Sequence, residues 1–122
     1  MSSGARTIVF NYPGGNVGSA LRLGRMIRAA GLDTLQVRPL QCASACSLAF
    51  LGGVHRDAEP GSIGVHRAFL KPADGMSNEE AAARVQLGTA AITSYVVEMG
   101  VDPKLMELAS SYDQHDIKYL SA

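Results

Sequence analysis

A β-rich run that breaks at a double glycine and gives way to a helical pattern constrains this chain more than any other feature. Thr7 to Phe10 reads as a strand, and Pro13-Gly14-Gly15-Asn16 ends it. Val17, Leu21, Gly24 and Ile27/Arg28 then recur at helical spacing, with Gly31 as a C-terminal stop. Thr34-Leu35-Gln36-Val37 is a second strand, ended at Pro39. Strand, helix and strand in succession make a right-handed crossover, which predicts parallel strands in an α/β fold. Ligands of such sheets gather at the carboxyl ends of the strands.

The rest of the chain continues the alternation. A short helix is expected to start near Ser44 and run toward Gly52-Gly53, with a short strand or edge segment over Val54 to Ala58. Pro60-Gly61 is a turn signal, and Ser62 to His66 is the third clear strand. Residues 69–76 read as a loop. Ser77-Asn78-Glu79-Glu80 is a capping box opening the longest helix, with apolar residues through Val85, Ala91, Ile92, Val96 and Met99 and a stop at Gly100. Asp102-Pro103 opens a short helix to about Ser110, and Ile117 to Leu120 is a last extended piece. No internal repeat or low-complexity linker divides the 122 residues, so a single domain, 1–122, is expected.

Composition removes several function classes. Eleven basic and eleven acidic residues cancel without a run of one sign, and Trp is absent. No nucleic-acid or anionic-membrane partner is therefore expected. The longest apolar stretch, Leu48 to Val54, is too short to cross a bilayer, and Met1 to Arg6 lack a signal core. The expectation is a soluble protein, cytoplasmic or periplasmic, with no visible address. Cys42 and Cys46 are too few for a zinc site, and neither metal nor cofactor is expected. A disulfide between them requires that the first lie outside the helix. The preferred reading is two small buried side chains packing a tight turn, with a periplasmic disulfide as the alternative.

The chemistry concentrates at three points. The glycine turn lacks the Lys-Ser/Thr of a phosphate-binding loop, and Gly14-Gly15-Asn16-Val17-Gly18 does not match the dinucleotide fingerprint. It is either a tight turn or a source of a backbone oxyanion donor at Gly15. Ser44 opens a helix and is either its cap or a nucleophile. Ala43 and Ala45 beside it leave room for a substrate, and Ser47 lies inside the helix. His66, at a strand end, is either a core histidine or a general base. His55 and His115 have the surroundings of surface residues. Asp113 and Asp116 sit in a polar turn, where one of them can orient a histidine. Lys71 keeps a Ser–Lys pair open.

In their order, Asn11-x-Pro13-Gly14-Gly15, Gln41-x-Ala43-Ser44, Val65-His66 and Asp116-x-Lys118-Tyr119-Leu120-Ser121-Ala122 resemble the Clp protease proteolytic subunit, within the wider ClpP/crotonase superfamily. The similarity runs from about Thr7 to Ala122. It is closer still to a bacterial set of ClpP-like predicted periplasmic proteins, which share the Cys-Ala-Ser-Ala-Cys run and Glu98-Met99-Gly100-Val101-Asp102-Pro103. The resemblance implies repeated β-β-α units and a serine peptidase acting on a peptide or protein substrate. It implies Ser44 as nucleophile, His66 as base, Asp116 as orienting acid, and the Gly15 and Ala45 N–H groups as the oxyanion hole. It also implies side-to-side homo-oligomer contacts through the Ser77–Gly100 helix.

The chain departs from that family in places. Tyr12 stands where the Clp enzymes have Ser, and Ala45-Cys46 where they have Met-Gly. Counterparts of the N-terminal strands, the axial segment and the C-terminal helix are missing, so a domain shortened at both ends is expected. Ring assembly and an AAA+ unfoldase partner are thereby less supported than the site. Two rivals remain. A crotonase-type acyl-CoA enzyme would keep the paired N–H donors without a triad, and a non-catalytic scaffold could use the same fold.

Overall fold

The structure, a computed structural model, describes residues 6–65, 75–110 and 118–120. His66, Lys71, Asp113, His115 and Asp116 lie outside them. The described elements are β1 (Thr7–Val9), α1 (Val17–Ala29), β2 (Asp33–Gln36), β3 (Cys42–Ala43), α2 (Ala45–Phe50), β4 (Arg56–Ala58), β5 (Ile63–Val65), α3 (Asn78–Glu98), α4 (Lys104–Ser110) and β6 (Lys118–Tyr119).

The expected parallel α/β arrangement is what the chain forms. β1, β2 and β4 make one parallel sheet, with Thr7 opposite Asp33 and Thr34 opposite Arg56. β3 and β5 are parallel in a second sheet, and β6 closes its edge antiparallel to β5. A parallel bridge between Tyr12 and Cys42 places the chain leaving β1 beside β3.

Local chemistry sets the helix ends. Asn16 caps α1 by accepting the Ser19 N–H at 2.8 Å, and Ser77 caps α3 by accepting the Glu80 N–H at 3.1 Å. The Asp102 carboxylate accepts the Lys104 N–H at 3.0 Å, so Asp102-Pro103 opens α4 as its sequence suggests.

Two departures concern which faces are buried. In β2 the polar Thr34 and Gln36 are buried, while Leu35 is only half-buried. Their polar atoms are satisfied: the Thr34 hydroxyl donates to the Phe50 carbonyl at 2.8 Å, and Gln36 bonds the backbone of Phe10. In α3 the buried set is Ile92, Tyr95 and Val96, and the C-cap Met99 extends this one stripe at helical spacing. Val85 and Ala91, expected on the apolar face, are exposed, as is Leu87. Among the described residues, only the second half of this helix meets the core.

Tyr95 ties that core together. It packs with Leu21, Ile92, Val96 and Met99, and its hydroxyl donates to the Leu48 carbonyl of α2 at 2.5 Å. A β-carbon on Gly24 would lie 1.7 Å from the Tyr95 hydroxyl oxygen, so α1 admits this ring only because residue 24 has no side chain. Arg25 reinforces the crossing, with its guanidinium 3.0 Å from Glu98 and over the Tyr95 ring.

Candidate active site

The site is built around the step from β3 to α2. Ser44 lies between the two with φ 58 and ψ −125, and it has the one positive φ among the described non-glycine residues. Such a conformation costs a side-chain-bearing residue on the order of 1–3 kcal/mol and persists only where neighbours enforce it. Here the Ser44 N–H donates to the Gly64 carbonyl at 3.0 Å, which continues the β3–β5 ladder by one residue. The Ser44 carbonyl accepts from the Ser47 N–H at 3.0 Å and from the Ser47 hydroxyl. The backbone is thus held on both sides of the strained residue.

The Ser44 hydroxyl does not cap α2. The bland alternative for this serine, a helix cap, therefore does not describe it. The side chain stands half-buried at the tip of a sharp strand-to-helix turn, an arrangement that presents an oxygen rather than satisfying a helix end. Ala45 is the first residue of α2, and a first-turn N–H has no acceptor within its own helix. That group is free of helical duty beside the serine.

The glycine turn comes to the same place. The Tyr12 N–H donates to the Gln41 carbonyl at 2.6 Å, and the Gln41 N–H donates to the Asn11 side-chain oxygen at 3.1 Å. These bonds lay residues 11–15 alongside the entrance to β3. A β-carbon on Gly14 would sit 3.1 Å from Ser44 Cβ and 3.4 Å from Ser44 Oγ, so the Gly14 backbone forms one wall against the serine. A β-carbon on Gly15 would meet the Tyr12 ring at 2.9 Å. Tyr12 thus folds over Gly15, and its side chain stays largely exposed.

The β3–β5 register sets Cys42 opposite Ile63 and Ala43 opposite Gly64, and the β5–β6 register sets Val65 opposite Lys118. His66 follows Val65 by one residue and Asp116 precedes Lys118 by two; both fall outside the described residues. Ser44, Ala45 and the glycine turn are brought together, whereas nothing described here places His66 or Asp116.

Two features depart from the preferred sequence reading. Gln36 is fully buried and grips Phe10 from both sides, its side-chain NH₂ donating to the Phe10 carbonyl at 2.8 Å and its oxygen accepting the Phe10 N–H at 3.2 Å. It fixes the strand end from which the glycine turn departs. A glutamine in the middle of a β-run was the available signal. The second is a correction: Cys42 and Cys46 are buried as expected, but they form a disulfide and are not thiols. The bond is possible because Cys42 lies in β3, outside the helix that begins at Ala45. Among the described residues no helix is long and apolar enough to cross a membrane, and no cluster of His, Cys, Asp and Glu could hold a metal ion.

No family model matches the chain. No curated protein matches it either. Among solved structures it is similar to a membrane-bound stomatin-specific protease, a mutant in complex with a substrate peptide, at 21% identity and a TM-score of 0.66. The match covers 98% of this chain and 57% of that one, so the chain spans little more than half of the protein it resembles. Element order, parallel pairing and this likeness define the fold as α/β of the ClpP/crotonase type.

Proposed function

We propose that the protein is a serine hydrolase, and specifically a peptidase, with Ser44 as its nucleophile. The observation that carries the reading is the Ser44 turn, a serine held at positive φ between strand and helix with a glycine backbone against its side chain. Strain of this kind at a half-exposed serine is a feature of reacting residues. In the proposed chemistry Ser44 Oγ attacks a carbonyl carbon and gives its proton to His66. Asp116 fixes the imidazole, and the Gly15 and Ala45 N–H groups receive the developing oxyanion. The roles of His66 and Asp116 rest on the sequence resemblance; the described support is at Ser44, whose N–H is bonded to the Gly64 carbonyl of β5. A peptide substrate is favoured over a thioester because the similar protease carries a substrate peptide.

A second reading exchanges the base. The mutation in that protease replaces a lysine by alanine. Lys71, in the segment after β5, is the residue that would serve in a Ser–Lys pair. Labelling with a fluorophosphonate probe separates the readings. Ser44→Ala abolishes labelling in both, and labelling that survives it refutes both. His66→Ala abolishes it in the triad reading and Lys71→Ala in the pair reading.

A further inference from the structure

We propose that the Cys42–Cys46 disulfide is a positioning latch for Ser44, so that the serine reacts only while the bond is intact. The proposal rests on Ser44 being the reacting residue. Its grounds are placement and burial. Cys42 is the first residue of β3 and Cys46 the second of α2, so the bond joins the strand entering the turn to the helix leaving it. The three residues enclosed are Ala43, Ser44 and Ala45. The two alanines are buried, and Ser44 alone of the three reaches solvent. A ring this small restricts the angle between strand and helix, and that angle is what a positive φ at Ser44 requires. Without the bond, the described restraints on the serine's backbone are the hydrogen bonds to Gly64 and Ser47.

Both cysteines are also core residues, packed with Phe50, Ile63 and Val65. A reductant reaches them only when the turn opens, so the latch is set during folding and released slowly. Release takes two electrons and two protons from a dithiol: the S–S bond breaks, Cys42 and Cys46 become thiols, and the dithiol closes to its own disulfide. A chain that depends on this bond matures where thiols are oxidised, not in a reducing cytosol.

The test compares the oxidised protein, the protein reduced by dithiothreitol, and a Cys42→Ala/Cys46→Ala variant. Reduction is followed by intact mass and folding by circular dichroism. Two quantities are read well below the melting temperature: the rate of fluorophosphonate labelling at Ser44, and hydrogen exchange across residues 41–50. The expected result is labelling at least tenfold slower on reduction, restored by reoxidation, with faster exchange confined to 41–50. The double variant labels slowly whatever the reductant. A folded, reduced protein that labels at the oxidised rate overturns the proposal. So does outright unfolding of both the reduced protein and the variant, because the bond would then hold the whole fold and not the turn. Absence of labelling in the oxidised protein refutes the Ser44 reading instead, and the exchange rates then decide the latch alone.

Discussion

Replacing Gly14 by alanine tests whether the glycine turn is a wall of the site or merely a bend in the chain. Gly14 has φ +147, which L residues rarely adopt, and forcing alanine into it costs on the order of 1–3 kcal/mol. The added methyl would lie 3.1 Å from Ser44 Cβ and 3.4 Å from its oxygen. Optimal carbon contacts are about 3.5–4.0 Å apart, so the loop or the serine must move by a few tenths of an ångström. Gly31→Ala is the control. Gly31 also has positive φ, +70, but nothing lies within 4 Å of its added β-carbon. It carries only the left-handed backbone penalty of about 1–2 kcal/mol. For a chain of this size each kcal/mol lowers Tm by roughly 3–6 °C, so both variants melt several degrees early. Labelling at Ser44 separates them. With the temperature held below both transitions, Gly31→Ala labels within about twofold of the parent. Gly14→Ala labels at least tenfold more slowly, a loss of about 1.4 kcal/mol in the transition state. If the two variants label alike, Gly14 is not part of the site, and the oxyanion role given to its neighbour loses its support.

Two further outcomes are expected. Gln36→Leu removes both hydrogen bonds to Phe10 and should cost about 1–3 kcal/mol, read as a lower urea midpoint at unchanged m value; an unaltered midpoint would show that water replaces the amide. Burial pushes the Tyr95 phenol up from 10.0 to about 12, against the opposing pull of Arg25. Between these values the unfolded chain binds fewer protons than the native one, so this contribution is complete below pH 10 and is lost as pH rises toward 12. Tyr95→Phe should flatten that part of the stability–pH curve, and an unchanged slope would refute the assignment.

Glycine and proline made most of the fold legible. Pro13-Gly14-Gly15, Gly31, Pro60-Gly61 and Gly100 all fall between elements, and the helix caps at Ser77 and Asp102 carry their bonds where expected. The strand Cys42–Ala43 was not legible, because two residues cannot show an alternation; it exists only through its partners Tyr12, Ile63 and Gly64. The buried face of β2 ran against the hydrophobic pattern. Thr34 and Gln36 are inward because acceptors and donors of Phe50 and Phe10 await them, and such long-range partners have no trace in local sequence. In α3 the helical period was present from Val85 onward, but only Ile92 to Met99 meets other elements of the described core. Periodicity reports a capacity to be buried, and packing decides how much of it is used.

The same distinction governs Ser44. Residue type and neighbours identified it as a candidate, yet they fit a helix cap equally well. What separates the two is the backbone angle, and that angle is imposed from a distance. Gly64 supplies an acceptor from β5, Ser47 donors from α2, and Cys46 a covalent tie back to β3. A cap needs none of these, because an N-cap residue reaches its ordinary extended conformation unaided, as Asn16 and Ser77 do. A serine that three elements hold in an unfavourable conformation, with its hydroxyl excused from capping, is what the proposed nucleophile requires. That is why Ser44, and not the better-exposed serines of the chain, is the residue on which the hydrolase reading should be tested first.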